Sequence, residues 1–428
     1  MYKVIASNFL PTSNLYIFTT IINVLMKIAI VGAGAAGCFA AANIVSQTGL
    51  EVVVYEKTGK PLQKVKASGG GRCNVTHAIF DVPELITRYP RGKQLLRKTL
   101  YRFSPQHTIN WFEERGVTLK TEADGRMFPV TDSSETIMEC ILEEMHKRNV
   151  HIAYHKQVVK IEKAGEEFVL YFADKTTTVA DRVLITTGGF PKAEQYQWLQ
   201  VLGHTIQTPV PSLFTFNMPK HPITELMGVS VPNATVKIAG TKIVEHGPLL
   251  ITHWGMSGPA VLRTSAWAAR ELNTRNYEFD ILVNWLGDVT EADARNTILQ
   301  ARVEYGKQLL RNKNIYNLPR RLWEYLLADS GVGEDTRWGE LPATAQNKLI
   351  ERLVRNLYSI KGKTTFKEEF VTCGGISLGE ISAATLESKL VSGLYFAGEV
   401  MDADGITGGF NFQNAWSSAF IAAQNITE

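Results

Sequence analysis

Cysteine is scarce in this chain of 428 residues, which has four, at the widely separated positions 38, 73, 140 and 373. No two of them form a C-x-x-C pair, which excludes a zinc knuckle and a redox disulfide of the thioredoxin-reductase type. Such sparse use is typical of a reducing compartment. We therefore expect a cytoplasmic protein, and we expect no metal ligands.

Strong net charge and long apolar runs are also lacking. The formal net charge of +3 is too small to indicate a polyanionic partner by itself. The apolar run 15–25 is too short to span a bilayer, and no small-residue cleavage site follows it. Met26 directly precedes the first expected strand, so we interpret residues 1–25 as a non-native N-terminal extension. An amphipathic docking segment is the alternative, and no membrane span is expected.

What is present is typical of a globular protein of two or three domains. The chain is too long for one ordinary domain, and a composition of 45% hydrophobic and 20% charged residues is sufficient for a large core.

The stretch 27–37, K-I-A-I-V-G-A-G-A-A-G, is an apolar strand followed by a G-x-G-x-x-G dinucleotide fingerprint.

Each glycine of the fingerprint has a physical reason. Gly32 permits the tight turn after the strand, Gly34 lets the backbone approach a pyrophosphate, and Gly37 lets the helix pack on the strand. A second apolar strand ends at Glu56, 19 residues after Gly37. A carboxylate at this place accepts hydrogen bonds from an adenosine ribose, which predicts an adenosine-containing dinucleotide.

Two further glycine-rich segments are predicted to contact the same cofactor. Residues 68–74, S-G-G-G-R-C-N, predict a loop whose N–H groups line the cofactor, with Arg72 or Lys64 near the pyrophosphate. The alternative is a flexible surface loop. Residues 181–190, D-R-V-L-I-T-T-G-G-F, predict a strand whose Thr-Gly turn passes beneath the cofactor, with an ordinary strand and turn as the alternative.

The C-terminal part predicts a return to the same cofactor. An apolar strand over 394–399 ends in Gly398 and Glu399, and a helix begins near Phe410 after two glycines. A strand-end carboxylate can bind a ribityl hydroxyl, and a helix N-terminus can face the electron-poor pyrimidine edge of a flavin. These features indicate FAD.

Between these parts, prolines punctuate short β-type runs from about residue 190, which predicts an inserted antiparallel barrel or sandwich. Helical spacing over 290–359 predicts a small cap. Within the insertion, residues 250–259 present His253 and Ser257 beside two glycines. His253 is the first candidate for a proton donor or substrate clamp and Ser257 a weaker one, although a lone histidine is more often structural.

Residues 88–102 hold six basic side chains and two tyrosines, and no acid occurs between Glu84 and Glu113. Such a helix can contact the phosphates of a nucleic acid. A solvated helix face is the alternative.

Five motifs in order carry a resemblance to a known family: G-A-G-A-A-G at 32–37, S-G-G-G-R-C-N at 68–74, D-G-R-M-F-P at 124–129, T-H-W-G-M-S-G-P at 252–259 and G-E-V-M-D-A-D-G-I-T-G-G-F-N-F-Q at 398–413. Residues 26–428 resemble the BaiN/RdsA (YhiN-like) flavoproteins. The resemblance implies an α/β fold with a two-dinucleotide-binding Rossmann-like FAD domain (26–190 and 373–428). An antiparallel β-barrel domain (191–289 and 360–372) and a helical domain (290–359) would interrupt it.

The resemblance also implies a set of FAD contacts. They are Ala36, Glu56, Lys64, Arg72, Cys73, Asn74, Thr76, Val158, Glu399, Gly409, Phe410 and Asn411. The glycine motifs and their neighbours complete the expected cofactor-binding set with Gly32, Gly34, Ala35, Gly37, Lys57, Gly70, Gly71, Thr187, Gly188 and Gly398.

The expected activity is that of an FAD-dependent oxidoreductase, which takes hydride from NAD(P)H and reduces a polarised C=C bond. No second nucleotide fingerprint is visible, so NAD(P)H is expected to visit transiently. The resemblance indicates two substrate types, uridine in ribosomal RNA (reduced to dihydrouridine) and steroid-like enones such as oxidised bile acids. A non-catalytic flavin-bound RNA-binding or assembly protein is the rival from another class. The sequence does not indicate an oligomeric state.

Overall fold

The computed structural model describes residues 26–45, 47–365 and 371–428. The predicted N-terminal extension, residues 1–25, lies outside the described residues.

The first part of the chain, residues 26–190, contains both strands and helices. Residues 26–190 form the strands β1 Met26–Val31, β2 Leu50–Tyr55, β3 Thr76–His77, β4 Leu119–Thr121, β5 Arg126–Pro129, β6 His151–Ala153, β7 Val158–Ala164, β8 Glu167–Phe172, β9 Thr177–Ala180 and β10 Arg182–Ile185. The helices here are α1 Ala35–Ala41, α2 Gln63–Gly71, α3 Val82–Leu85, α4 Lys93–Arg102, α5 Pro105–Glu113 and α6 Ser134–Lys147.

The rest of the chain supplies the remaining elements. They are α7 Gln197–Gln200, β11 Ile206–Ser212, β12 Thr215–Asn217, β13 Ser230–Ile238, β14 Val244–Thr252, β15 Gly255–Ser257, α8 Pro259–Trp267, α9 Ala269–Thr274, β16 Glu278–Asn284, α10 Glu291–Glu304, α11 Arg320–Asp329, α12 Ala343–Val354, β17 Asn356–Lys361, β18 Lys363–Thr364, β19 Val371–Ile376, β20 Leu394–Phe396 and α13 Phe410–Asn425.

A five-stranded parallel sheet in the order β20-β10-β1-β2-β6 forms the first layer. Val31 is in register with Tyr55 on one side and with Ile185 on the other, and Ile185 is in register with Phe396. The apolar strands are buried, as is usual for parallel sheets covered on both faces. Their carboxyl ends therefore meet at one edge, where α/β folds bind ligands. This sheet confirms the predicted Rossmann-like fold and the return of the C-terminal part to it.

The insertion contains a seven-stranded antiparallel sheet in the order β17-β16-β13-β14-β15-β12-β18. Its two outer strands are consecutive in the chain, because only Gly362 separates them. The Gly362 N–H donates to the Tyr277 carbonyl (2.8 Å), and the Asn217 N–H donates to the Gly362 carbonyl (3.1 Å). Gly362 thus bonds near both ends of the strand order, because Tyr277 directly precedes β16 and Asn217 ends β12.

The helices α10, α11 and α12 share one hydrophobic core with this inserted sheet. A second core holds the parallel sheet and the helices around it. The strands β11 and β19 pair with each other where the chain enters and leaves the insertion. The predicted bounds of the three domains stay a prediction.

Helix α6 contains a buried carboxylate surrounded by cations. Glu144, 9% exposed, lies 3.1 Å from Arg115, 2.8 Å from Lys147 and 3.0 Å from Arg148. Burial alone would raise the pKa of Glu144, but the hydrogen bonds from Lys147 and Arg148 and the charge of Arg115 outweigh it and lower the pKa to about 2.

This carboxylate should make the fold sensitive to acid. Because the pKa in the folded state is depressed, its stabilisation is present above the ordinary value of 4.5 and is lost as the pH falls towards about 2. We expect Glu144→Gln to be less stable than the wild type at neutral pH and to lose less stability on acidification. Urea unfolding across this pH range measures the difference. Parallel pH profiles of the two proteins would contradict it.

Candidate functional site

The turn after β1 leaves no room for side chains. Gly32 has a φ of +109°, and a Cβ there would lie 2.7 Å from the Thr186 carbonyl oxygen. A Cβ at Gly37 would lie 1.9 Å from the Gly32 carbonyl oxygen. The Thr186 hydroxyl donates to that same carbonyl (2.9 Å). Both glycines are therefore required by the packing of the turn on the neighbouring strand end.

Gly34 borders open space instead. A Cβ at this position would meet no described atom within 4 Å. Beside it, the Ala33 N–H donates to Glu56 Oε2 (2.9 Å), and the Thr58 N–H donates to Oε1 (2.8 Å). These bonds fix the Glu56 carboxylate at the end of β2 against the glycine turn. Lys57, the next residue, is exposed.

The segment 68–74, which was predicted as a loop, follows the regular part of helix α2 and is not helical where it begins. Helix α2 is interrupted at Ser68, which is extended, and Gly69, Gly70 and Gly71 follow with φ of +59°, +68° and +86°. A Cβ at Gly70 or Gly71 would meet no described atom within 4 Å. These two glycines are exposed, and like the partly buried Gly34 they face space that the described protein does not fill.

The two residues after these glycines have structural contacts of their own. Arg72 Nη1 donates to Glu122 Oε1 (2.6 Å), and the guanidinium carbon lies 4.0 Å from the centre of the Phe128 ring. The structure thus directs this guanidinium towards Glu122. Cys73 is fully buried, and burial raises its pKa to about 12, so the thiol is uncharged.

A polar cluster lies where β10 and β20 end. Lys64 Nζ binds Glu399 Oε2 (2.7 Å), and the Thr372 N–H donates to Glu399 Oε1 (2.9 Å). A Cβ at Gly189 would lie 2.9 Å from Glu399 Oε1, so the predicted turn 187–189 adjoins this carboxylate. In that turn, the Thr187 hydroxyl donates to the Gly188 carbonyl (3.2 Å).

Thr372 was not among the predicted site residues. Its hydroxyl is buried and has no hydrogen-bond partner among the described residues. Such an orphaned group is the kind that a bound polar molecule satisfies. The sequence signal was the pair Gly374 and Gly375 inside a strand, with φ of +128° and +131°, since glycines in a strand mark a bulge or a close approach.

The start of α13 forms the third part of the site. A Cβ at Gly409 would lie 2.6 Å from the Thr76 carbonyl oxygen. With its amide oriented to satisfy both neighbours, Asn74 donates to that carbonyl (3.1 Å) and accepts from the Gly409 N–H (3.0 Å). Asn411 accepts from the Gly405 N–H (2.8 Å) and donates to the Gly405 carbonyl (2.9 Å). The first turn of this 16-residue helix contains no acidic residue, so its positive end is not neutralised locally.

Two aromatic side chains that the sequence reasoning missed hold Phe410 in this first turn. The His77 ring stacks on Phe410 at 4.8 Å, and the Tyr89 hydroxyl donates to the Phe410 carbonyl (2.9 Å). Burial lowers the pKa of His77, which keeps the ring neutral. His77 Nδ1 is buried and has no hydrogen-bond partner among the described residues.

These three parts adjoin one another. A Cβ at Gly398 would lie 2.9 Å from the Cβ of Ala36 in α1, and the Lys64–Glu399 pair joins α2 to the segment after β20. The Leu62 N–H donates to the Ala33 carbonyl (2.8 Å). The glycine turn, α2 and the segment before α13 are therefore adjacent, and we call the space beside them the cofactor cleft.

Three predicted residues lie in other sheets or in a turn between their strands. Val158 begins β7, where it pairs with Phe172 in a separate three-stranded sheet. His253 is exposed at the turn between β14 and β15, with its ring centre 4.1 Å from that of Trp254. Ser257, the weaker candidate, ends β15.

The basic segment 88–102 is only partly a surface. Arg91 forms an ion pair with Asp404, which is fully buried, and also donates to the Ala266 carbonyl (2.8 Å). Tyr89 is buried as well. The partners of Arg91 and Tyr89 lie far along the chain and hold these two residues inside the fold, so they are not available for a surface contact with RNA. The exposed side chains are Lys93, Arg97, Lys98, Tyr101 and Arg102.

Two searches of the described residues gave negative results. Across 26–45, 47–365 and 371–428, no group of three or more His, Cys, Asp or Glu side chains is arranged to hold a metal ion. In the same part of the chain, no helix combines the length and the apolar character needed to cross a membrane.

Residues 26–425 match the family described as "HI0933-like protein Rossmann domain". The chain belongs to this family. The HI0933-like assignment agrees with the parallel sheet and with the glycine turn after β1, which are the defining features of a Rossmann domain.

Three curated relatives of this HI0933-like chain carry functional names, and one of them, from Haemophilus influenzae, is 30% identical over 409 residues, covering 93% of this chain and 98% of the relative. The chain is 32% identical over 407 residues to the ribosomal RNA dihydrouridine synthase of Escherichia coli K12, covering 93% of this chain and 97% of the relative. It is 28% identical over 416 residues to the 3-dehydro-bile acid delta(4,6)-reductase of Clostridium scindens, covering 94% and 99%. The predicted resemblance to the BaiN/RdsA flavoproteins is confirmed.

A solved structure shares the fold. The 3-ketosteroid-delta4-(5alpha)-dehydrogenase of Rhodococcus jostii RHA1, in complex with 4-androstene-3,17-dione, superposes with a TM-score of 0.50 at 13% identity. The match covers 93% of this chain and 97% of that one. At this identity the likeness shows the fold alone.

Proposed function

We propose that this chain is an FAD-dependent oxidoreductase that uses NAD(P)H to reduce the C=C bond of uridine in ribosomal RNA. The observation that carries the proposal is the cofactor cleft, whose open side is bordered by Gly34, Gly70 and Gly71 and which reaches the start of α13. An extended dinucleotide requires this combination of backbone-only walls and a helix N-terminus.

The residues present fit FAD. Glu56, fixed by Ala33 and Thr58, has lone pairs left for the adenosine ribose. Gly34 leaves the backbone open to the pyrophosphate, and Glu399 can accept from ribityl hydroxyls. When bound there, FAD would supply hydride transfer at its flavin ring.

The chain's own groups would orient and tune that ring. The unneutralised N-terminus of α13 favours negative charge beside it, and Asn74 and Asn411 hold the backbone of this turn in place. Neutral His77 and Cys73 add no charge to this side of the site.

NAD(P)H is proposed as a transient donor, because the sequence contains one dinucleotide fingerprint and no second one. We further propose that the inserted sheet belongs to the predicted β-barrel domain (191–289 and 360–372), and that residues 290–359, whose helices share its core, form the predicted helical domain. The proposed location is the cytoplasm, a reducing compartment that suits the buried free cysteines at 38, 73, 140 and 373.

Two observations support RNA as the substrate. The relatives from Escherichia coli and Haemophilus influenzae, 32% and 30% identical, are both named ribosomal RNA dihydrouridine synthase. Helix α4 exposes Lys93, Arg97, Lys98 and Arg102, and Tyr101 between them is 57% exposed. Cations interleaved with an aromatic ring suit a nucleic-acid backbone with unstacked bases.

Reduction of steroid-like enones is the second candidate function. The relative named 3-dehydro-bile acid delta(4,6)-reductase, similar over nearly its whole length, supports it. A flavin-bound RNA-binding or assembly protein without catalysis is the third candidate.

Ribosomal RNA from cells with and without this chain separates these functions. The proposal expects one or more dihydrouridines to be present only when the chain is present, and to return when the gene is restored. Unchanged dihydrouridine content would contradict RNA reduction. Oxidation of NAD(P)H on addition of an enone would then favour the second candidate.

His253 is the proposed proton donor or substrate clamp, on the evidence of its exposure at a tight turn beside Trp254. We expect His253→Ala to lower substrate turnover by about a hundredfold, the lower limit usual for a general acid, and to retain FAD in full. The matched control is His246→Ala, because His246 is also exposed and lies on β14. Equal turnover by the two variants would remove His253 from the proposed site.

A further inference from the structure

A second cavity lies in the inserted part of the chain, between α10 and α11. Its volume is about 260 Å³, and its lining residues are Arg311, Asn312, Asn314, Leu318, Arg320 and Trp323. The apolar residues of its wall belong to the core of the inserted sheet, not to the core around the cofactor cleft. The cavity is therefore distinct from the site described above.

The sequence around this cavity is strongly basic. Between Glu304 and Glu324 there are five basic residues and no acid: Lys307, Arg311, Lys313, Arg320 and Arg321. Two of these cations, Arg311 and Arg320, line the cavity, and their side chains are 39% and 81% exposed.

The acids that pair with these two arginines are held weakly. Arg311 lies 3.2 Å from Glu334 and 3.4 Å from Asp335, whose side chains are 88% and 90% exposed. Arg320 binds Glu324 at 2.7 Å on the surface of α11. Exposed ion pairs contribute little, so an incoming anion can replace these carboxylates.

The floor of the cavity is preformed. Asn314 donates to the Leu318 carbonyl (2.6 Å) and accepts from the Tyr316 N–H (3.1 Å), which fixes the loop. Trp323 is fully buried and donates to the Leu310 carbonyl (2.9 Å). A fixed loop between two guanidinium groups loses little conformational entropy when an anion binds.

We propose that this cavity binds a backbone phosphate of the RNA substrate, outside the region where the base is reduced. Guanidinium groups bind phosphate oxygens through paired N–H donors, and such contacts position an RNA without reading its sequence. The proposal rests on the proposed function, because it names a second contact for the same RNA.

The test compares two double variants of the FAD-loaded protein. Arg311→Gln with Arg320→Gln removes both cations of the cavity. The matched control, Lys348→Gln with Arg355→Gln, removes one exposed cation of α12 and one that directly follows it, and neither lines the cavity. Flavin absorbance and thermal melting check that both proteins are folded. The probe is a fluorescent uridine-containing RNA stem-loop, titrated over a series of KCl concentrations.

The cavity variant should bind the RNA more weakly, and the slope of log affinity against log salt should be smaller by about 0.7, the contribution of one phosphate contact on a single strand. The control should match the wild type. Equal slopes for all three proteins would overturn the proposal. So would a cavity variant that loses affinity for NADPH but not for RNA, because the phosphate bound would then belong to a nucleotide.

Dihydrouridine formation, measured on the same proteins, separates this proposal from the proposed function. A wild-type protein that binds RNA through Arg311 and Arg320 but forms no dihydrouridine would retain the phosphate contact and reject the reaction. A cavity variant with wild-type RNA binding and full dihydrouridine formation would retain the reaction and reject the contact.

Discussion

Gly34→Ala is expected to weaken FAD binding at least about tenfold, or about 1.4 kcal/mol, without unfolding the protein. A Cβ at this position meets no described atom within 4 Å, and the φ of −85° suits alanine. The added methyl group therefore costs the protein nothing, but it occupies the space through which the backbone approaches the cofactor. Isothermal titration of the apoprotein with FAD measures the loss.

Two other glycines make this result specific. Gly379→Ala adds a methyl group that also meets no described atom within 4 Å, at a position outside the cofactor cleft, and should leave FAD affinity unchanged. Gly37→Ala would place its Cβ 1.9 Å from a backbone oxygen and should disrupt the turn itself. Equal FAD affinity for Gly34→Ala and Gly379→Ala would remove Gly34 from the site.

The second large effect is expected at the Arg91–Asp404 ion pair. Asp404 is fully buried, and it also accepts from the Ser212 hydroxyl (3.0 Å). Burial raises the pKa of Asp404, which Arg91 opposes by its hydrogen bonds and charge. Arg91→Ala leaves this carboxylate without its cation and should cost about 3–5 kcal/mol of unfolding free energy. Urea unfolding measures the change.

Two controls separate the broken pair from the loss of a surface charge. Arg97→Gln removes an exposed cation of α4 and should change stability by less than about 0.5 kcal/mol. Arg91→Met combined with Asp404→Leu replaces both charges by apolar groups and should recover most of the loss. A single Arg91→Ala variant as stable as Arg97→Gln would show that the pair does not stabilise the fold.

The same ion pair joins separate parts of the molecule. Asp404 lies in the segment that leads to α13, Ser212 ends β11, and the Ala266 carbonyl that Arg91 also binds lies in α8. The pair therefore fixes the segment before α13 against the inserted part. We expect FAD to dissociate faster from Arg91→Ala, because this segment carries Gly405, to which Asn411 is bonded.

The fold could be predicted where its signals are local. The strand, glycine turn and helix over 27–37 are adjacent in sequence, and their pattern fixed the Rossmann-like sheet before any long-range contact was known. The position of Glu56 was predicted in the same way, because the end of the second strand lies beside the glycine turn in a Rossmann-like fold. The return of the C-terminal part to the same sheet was predicted from the apolar strand over 394–399, which ends in Gly398 and Glu399.

The sequence did not predict the side-chain pairs whose two members lie far apart in the chain. Arg91 has a basic neighbourhood in sequence, but Asp404, 313 residues away, removes it from the surface. Arg72 was expected near the pyrophosphate, and Glu122, 50 residues away, holds its guanidinium. Lys64 and Glu399, 335 residues apart, were predicted separately as FAD contacts and prove to bind each other. Sequence spacing does not reveal such pairs.

The flavin itself provides the most direct measurement of the central claim, that FAD in this cleft transfers hydride from NAD(P)H to uridine in RNA. Purified holoprotein is first bleached with NADPH or NADH under anaerobic conditions, and ribosomal RNA lacking dihydrouridine is then added. We predict that the flavin absorbance returns as dihydrouridine forms, in a one-to-one ratio. A flavin that stays reduced after RNA is added, with no dihydrouridine formed, would contradict the account.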